Sequence, residues 1–582
     1  MELLHSWVNY RYFCLFLEAL ISVLILALAV TVPGIGSRQL KWAERLLKKI
    51  AQSPSKAILT ITLLAVGARA ALLPWIPVPK PSMHDEFSYL LAGKTYAAGR
   101  ITNKPPPMWP HFESVHILQR PTYMSMYPPA QGLFLAIGMR LAGQAWLGVV
   151  IGVILMSAAI CWMLQGWFSA PWALVGGLLV IVRWVVFSYW VNSYWGGGIP
   201  AFAGALVAGS LPRLLRWGRI RDSIALGLGL TLLANSRPYE GLVFSAVAIV
   251  GFVTWTVKHG LSRRLWKARI LTSLSLLLTV AAAATLYYNW RVSGDPLLLP
   301  YVADQQQYAV VPLFLPEKLK PEPRYQSASL RRVYEADLKL YQKGRSAAGV
   351  PEMLRKVKDF WLFYFGPLFT IPMAALLLRV PKPKDERTNF YWLIVAVSLG
   401  ALLVEVWFYP HYASPMMAVI IALIVQGMRA LRTWCWKGKP AGLFLSRAIP
   451  IACLLMLAVP ITAAALRWSL AYWPLQWYGG TPDVVRPSSL TARFAQSHKK
   501  ALIFVRYSAA HDITDEWVYN EPNLDQAPVV WAREIDRSQD AALIRYFSNR
   551  SVWLLEPDRR PLRLQPYPLC SESQRSGSNR LH

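Results

Sequence analysis

Runs of about 20 apolar residues, parted by short basic loops, recur along this chain, and no other feature restricts its fold so strongly. Inside hydrocarbon the backbone has no water to bond with, so a crossing segment must satisfy its own polar groups as a helix. Twelve segments qualify: 12–32, 57–75, 145–166, 170–190, 199–215, 222–236, 239–257, 268–290, 360–379, 388–408, 411–429 and 448–467. The composition agrees, with 55% of residues hydrophobic and 16% charged, against about 25% charged in soluble domains. That balance excludes a disordered chain, a disulfide scaffold and an ordinary soluble enzyme. The expected fold is an all-α polytopic membrane bundle of about twelve spans, followed by a small C-terminal α/β domain.

Loop charge sets the expected orientation, because cytoplasmic loops carry the excess of Lys and Arg. Arg38, Lys41, Arg45, Lys48, Lys49 and Lys56 follow the first span. Further basic loops hold Arg213–Arg221, Lys258–Arg269, Lys382–Arg387 and Arg429–Lys439. With twelve spans all of these share the cytoplasmic face. The short loops of the opposite face (191–198, 236–240, 409–411) hold a single basic residue, Arg237. Both termini then lie outside, in a bacterial-type inner or plasma membrane. The net charge of +30 reads as cytoplasmic loops facing anionic lipid rather than as a nucleic-acid surface.

The chain divides into an extra N-terminal span with a basic loop (1–56), a transmembrane domain (57–467) and an extracytoplasmic α/β domain with a disordered tail (468–582). Segments 76–144 and 291–359 are large outer loops, and residues 129–143 are an interfacial helix. In the last domain, strand-like runs at Leu502–Tyr507, Val529–Trp531 and Ser551–Leu555 alternate with helical patterns at 490–500 and 537–547. Cys14, Cys161, Cys435, Cys453 and Cys570 form no CxxC or His/Cys pattern. The first apolar stretch reads as a retained anchor rather than a cleaved signal.

The first outer segment holds the densest polar set: Met-His-Asp-Glu-Phe-Ser-Tyr at 83–89, Trp-Pro-His-Phe-Glu-Ser-Val-His at 109–116, Gln-Arg-Pro-Thr-Tyr at 119–123 and Tyr-Pro-Pro at 127–129. Asp85 and Glu86 follow a span by about ten residues. Partial desolvation there raises a carboxylate's pKa unless a cation opposes it, which suits a general base acting on a hydroxyl or amine. The plain alternative is a solvated pair capping the next helix.

This order of features resembles the GT-C superfamily, and within it the dolichyl-phosphate-mannose–protein mannosyltransferase-like group, glycosyltransferase family 39. Gly-Leu-Thr-Leu-Leu-Ala-Asn-Ser-Arg-Pro at 229–238 is similar to the family's Gly-rich helix ending in a basic residue. Phe-Tyr-Pro-His-Tyr-Ala-Ser-Pro-Met at 408–416 is similar to its late aromatic-Pro segment. The likeness covers about residues 57–430. It implies a polyprenyl-phosphate sugar donor, inverting transfer to a glycan, lipid or protein acceptor, Asp85 as base, Glu86 as its acidic neighbour, and Arg237 on the donor phosphate. The segment Asn192-Ser-Tyr-Trp-Gly-Gly-Gly departs from the pattern, since the family often has an Asp there. Asn192 is no base, and any second acid must come from elsewhere. The extra N-terminal span is a further departure.

Other candidates have a bland reading beside the functional one. His111, Glu113 and His116 carry ligand chemistry for a divalent metal, but their spacing equally fits loop hydrogen bonding. No cofactor is required by the sequence. Arg237, Arg120 and His411 are candidate phosphate ligands; the alternatives are a snorkelling Arg, an Arg237–Glu240 pair, or a structural His. Tyr189, Trp190, Tyr194 and Trp195 form either an interfacial aromatic belt or a platform for sugar or isoprenoid. His84, Tyr89, Tyr123, Asn192, Tyr194, Trp195, Glu240 and Tyr409 are expected around the cavity. Arg69 and Arg183 should face the bundle interior or snorkel. Residues 291–359, with Asp304 and an amphipathic stretch near 327–343, read as a lid over the cavity or as a solvated basic helix. Asp512, Asp515 and Glu516 read as a solvated loop. Two rival functions remain open: a lipid or glycan transporter or flippase, and a non-catalytic envelope assembly protein.

Overall fold

The computed structural model describes residues 2–260, 267–346, 349–378, 386–466, 490–491, 494 and 500–568. Its helices are α1 (Glu2–Thr31), α2 (Ser37–Ala51), α3 (Pro54–Leu72), α4 (His84–Ala97), α5 (Pro129–Ala142), α6 (Ala145–Trp167), α7 (Ala170–Val180), α8 (Gly198–Arg216), α9 (Ile220–Ala234), α10 (Pro238–Lys258), α11 (Ala268–Ser293), α12 (Pro300–Tyr308), α13 (Ala328–Arg345), α14 (Gly349–Tyr364), α15 (Gly366–Leu378), α16 (Glu386–Val404), α17 (Met417–Leu431), α18 (Ala441–Ala465) and α19 (Arg537–Tyr546). Several begin with Pro in the first turn, where its missing N–H costs nothing: Pro54, Pro129, Pro238 and Pro300.

Among the described residues nine helices are long and apolar enough to cross a membrane, and the protein is an integral membrane protein. All twelve expected segments are helical, but three are not simple spans. Helix α9 has 15 residues. Helix α7 runs into a wide turn at Ile181–Val185 and then into irregular backbone. The expected span 360–379 is crossed by a 97° bend between α14 and α15. Its physical cause is Gly366, at φ +57°, followed by Pro367, which has no N–H to continue a helix.

That break explains Arg183. Its guanidinium donates to Glu18 Oε1 (2.7 Å) and to the Phe365 carbonyl (3.0 Å), while Glu18 also accepts the Leu368 N–H (3.3 Å). Both side chains are fully buried. The first span therefore supplies a carboxylate that, with Arg183, satisfies backbone groups freed at the bend. Arg69 is also turned inward, over the Trp146 ring at 4.8 Å.

The C-terminal part contains a four-stranded sheet in the order β4-β3-β5-β6: β3 (Ala501–Val505), β4 (Val529–Arg533), β5 (Ser551–Glu556) and β6 (Arg563–Pro566). A short antiparallel pair in segment 76–144 supplies β1 (Ile117–Leu118) and β2 (Met124–Ser125). Strands β4 and β5 run parallel to β3, and β6 is antiparallel to β5. Asp536 caps α19 by accepting the Ser538 and Gln539 N–H groups. Most of the expected helix at 490–500, Cys570, the tail and Lys382 and Lys384 lie outside the described residues.

The α/β part docks on segment 76–144. Arg533 donates to the Glu113 carbonyl (2.7 Å), His111 Nδ1 meets the Arg533 carbonyl (2.9 Å), and Tyr123 donates to the Asn520 carbonyl (3.1 Å). Glu516 is buried and paired with Arg533 and Tyr507, so the solvated-loop expectation is corrected there: the surrounding cation and hydroxyl offset its desolvation.

Candidate active site

One cavity of about 400 Å³ lies where α4, the start of α5, the 234–240 turn, α12, α13, the 405–412 segment and the loop at Ile513–Thr514 converge. His84, Asp85, Tyr89, His116, Trp195, Arg237, Glu240 and Tyr409 line it. A smaller adjoining pocket of about 30 Å³ is lined by Asp85, Tyr89, Tyr127, Trp195, Arg237, Tyr409, His411 and Tyr412. Asp85 is thus on the same pocket wall as two expected phosphate ligands.

Asp85 opens α4, where a carboxylate is favoured by the free N–H groups of the first turn. Its Oδ1 accepts the Tyr127 hydroxyl and lies 3.3 Å from His116 Nδ1. Tyr127 OH is 3.0 Å from the same imidazole nitrogen. Burial alone would raise Asp85, but His116 and the Tyr127 hydrogen bond outweigh it and hold the carboxyl below its ordinary range. This corrects the sequence expectation of a raised pKa: the opposing cation is present, and it is His116. For His116 burial works downward, and Asp85 carries it above the ordinary imidazole value. Each partner thus favours the charged form of the other, carboxylate beside imidazolium.

His84 braces the other flank. Its Nε2 meets the Ile513 carbonyl at 2.7 Å, so that nitrogen must carry the proton. Its Nδ1 is 2.7 Å from the Tyr519 hydroxyl, which then donates.

Arg237 immediately precedes Pro238 of α10, donates to Glu240 Oε1 at 3.4 Å and lies over the Tyr412 ring at 4.4 Å. One weak bond leaves most of its five N–H donors for a ligand. His411 accepts or shares the Tyr189 hydroxyl at Nδ1 (2.9 Å), and its backbone N–H donates to the same oxygen (3.0 Å). The arrangement in which Tyr189 donates leaves Nε2 as the protonated nitrogen.

Five expected site residues lie off the cavity. Glu86 is buried and accepts from the N–H groups of Ser82, Met83 and Tyr194 and from the Ser82 hydroxyl. It pins α4 to the 191–198 turn and has no oxygen left for chemistry. Tyr194 donates to the Pro79 carbonyl (3.0 Å), Asn192 is buried beside Ser188, and Tyr123 is held by Asn520. Arg120 is exposed, stacked on Trp109 at 4.0 Å.

The proposed metal set does not assemble. His111 is 3.6 Å from Asp540, Glu113 is buried near Arg533, and His116 belongs to Asp85. Among the described residues no three His, Cys, Asp or Glu side chains are grouped to hold a metal.

The aromatic-belt reading is also corrected. Tyr189, Trp190, Tyr194 and Trp195 are all buried, because the irregular 186–197 backbone is folded into protein. Its carbonyls at Val191 and Tyr194 accept from Trp146 (2.7 Å) and Gln131 (3.0 Å). Gly197, at φ +112°, sits where a Cβ would meet the Trp190 ring at 2.6 Å. Of the four aromatics only Trp195 lines the cavity.

Tyr127, Tyr412, Asp337 and Glu405 line the cavity and were not expected there. Tyr127 had a signal, since it heads the Tyr-Pro-Pro motif. The others come from elements far apart in sequence.

No protein-family model matches this chain, and no curated protein matches it. Among solved structures it is similar to ArnT from Cupriavidus metallidurans bound to undecaprenyl phosphate, at 12% identity and a TM-score of 0.47, over 86% of this chain and 92% of that one. It is also similar to the Archaeoglobus fulgidus oligosaccharyltransferase in complex with Zn and sulfate, at 13% identity and a TM-score of 0.42, over 86% and 67%. The same archaeal protein, AglB, in complex with an inhibitory peptide and a dolichol-phosphate, gives 10% identity and a TM-score of 0.38, over 86% and 69%.

Proposed function

We propose that this protein is an integral-membrane glycosyltransferase that moves a sugar from a polyprenyl-phosphate donor to an acceptor hydroxyl or amine at the outer face of the membrane. The observation that carries the reading is that Asp85, Arg237 and His411 line one small pocket. In this reading a base and two phosphate ligands serve a single displacement.

In this reading the donor phosphate takes the open N–H donors of Arg237 and the imidazole of His411. The acceptor hydrogen-bonds Asp85. Its lone pair attacks the anomeric carbon from the side opposite the phosphate, which inverts that centre. The carbon–oxygen bond to phosphate breaks, and polyprenyl phosphate leaves with the electron pair, stabilised by Arg237. Asp85 accepts the acceptor's proton. A carboxylate held low is a weak base towards a free hydroxyl, so transfer is completed late, once the attacking oxygen or nitrogen is bonding to carbon and has become acidic. His116 and Tyr127 orient the carboxylate and keep it ionised.

The test is a deletion strain complemented with the wild type, Asp85→Ala, or a truncation before residue 468, with glycolipids and glycans profiled. Asp85→Ala is expected to lose the product while folding and membrane insertion persist. A non-catalytic assembly protein would tolerate Asp85→Ala and fail on truncation. A transporter would show counterflow of labelled lipid, which this reading does not expect.

A further inference from the structure

The mechanism leaves one wall of the cavity without a role. Five carboxylates line the cavity (Asp85, Glu240, Asp304, Asp337 and Glu405), against one guanidinium and two imidazoles. Asp85 is paired with His116 and Glu240 with Arg237. Neither Asp304 nor Asp337 has a cationic partner among the described residues. Asp337 accepts only the Trp407 indole N–H, at 2.8 Å. Asp304 is 1% exposed, and its Oδ1 has no hydrogen-bond partner.

Independent of the acids, two uncharged cavity-lining groups are also orphaned. Gln305 Oε1 and the Tyr334 hydroxyl are buried and unpartnered. Buried polar atoms are normally satisfied, so unsatisfied ones lining a cavity mark where a ligand's groups belong. Two of these unpartnered atoms, Asp304 Oδ1 of the carboxylate and Gln305 Oε1, only accept hydrogen bonds, and the Asp337 carboxylate beside them is also an acceptor. A group complementary to this wall is rich in donors and positively charged. A metal is a poor fit, since no metal-holding group is present among the described residues.

Position says which reactant it is. Asp304 and Gln305 lie on α12, and Tyr334 and Asp337 on α13, helices outside the candidate spans. They share the cavity with Ile513 and Thr514 of the α/β part. A lipid-borne donor approaches from the spans, so this wall meets the reactant that comes from water. Resting on the reading above, we propose that Asp304, Gln305, Tyr334 and Asp337 form an acceptor subsite that takes a protonated amino group on the acceptor's sugar ring. One ammonium supplies three N–H donors and the countercharge the wall lacks.

The test uses the full chain in lipid nanodiscs and tritiated D-glucosamine as probe, competed with D-glucose and N-acetyl-D-glucosamine. Amine-selective binding is expected, with the two neutral sugars weaker by roughly tenfold or more. Asp304→Asn with Asp337→Asn should abolish that selectivity, and Gln305→Ala should weaken binding without abolishing it. Undecaprenyl phosphate binding, measured on the same preparations, should be unchanged and reports that each variant is folded. Equal binding of the three sugars, no saturable binding, or full selectivity in the double Asn variant overturns the subsite. Amine selectivity in a protein that binds no undecaprenyl phosphate would instead overturn the transfer reading and leave the subsite standing.

Discussion

Nδ1 of His116 lies 3.3 Å from Oδ1 of Asp85, and Tyr127 donates its hydroxyl to the same carboxylate oxygen. The two titrating groups come from different parts of segment 76–144, Asp85 from the start of α4 and His116 from the loop before β1. Each biases the other's protonation state, because a half-buried charge pair stabilises both charged forms.

Removing the cation should therefore move the acid. With His116→Gln, burial acts on Asp85 without its main opposing charge, and the carboxyl rises. The acidic limb of the kcat/KM profile is expected to shift to higher pH. A limb that stays where it is in the wild type would show that another group controls it.

Asp85→Asn and Tyr127→Phe separate base from orienting group. The first removes proton acceptance and should lower kcat by about 10²–10⁴. The second removes one hydrogen bond and should cost about tenfold. Binding of undecaprenyl phosphate should survive both, as read by a lipid-binding assay.

Arg237→Gln should weaken undecaprenyl phosphate binding by roughly tenfold or more, since a charge-assisted bond to phosphate is lost. Arg237→Lys should recover only part of it, because a point charge does not reproduce the planar fork. Unchanged affinity in Arg237→Gln would remove this residue from the donor site.

Asp304 gives a stability signature. Burial pushes its carboxyl up to about 6, with His116 opposing, while in the unfolded chain it titrates near about 3.9. The native state then binds more protons than the unfolded state between those values, so stability falls as pH rises through that window and the loss is complete above it. Asp304→Asn should raise Tm at pH 7.5 more than at pH 4.5. Equal shifts at both would contradict the buried, unpaired carboxylate.

Glu18 and Arg183 form the buried pair at the α14–α15 bend. Glu18→Gln or Arg183→Leu alone strands a charge and should cost about 3–5 kcal/mol. The double variant should recover much of the loss, measured as Tm in detergent. Additive losses would mean that each residue acts through other contacts.

The sequence by itself determined the material of this protein. Apolar runs too long and too sparsely charged for water dictated helices, and every one of the twelve segments is helical. Val- and Trp-rich strands at 502–507, 529–531 and 551–555 were legible because alternation with helix is a local pattern. Asp85, about ten residues beyond a span, and Arg237, at the end of one, were singled out from sequence, and both line the cavity. What only the tertiary structure decided depends on partners distant along the chain. Glu86 was the acidic neighbour of Asp85, yet one helical step turns it towards Ser82 and Tyr194, where both its oxygens are engaged by backbone N–H groups. His116 looked like a metal ligand until Tyr127 and Asp85 closed around it. The break at Gly366 is written in Gly-Pro, but its repair by Arg183 and Glu18 joins residues 165 positions apart. Local sequence fixes period and polarity; which polar group stays unpaired, and so free for chemistry, is settled only when the remote surfaces meet.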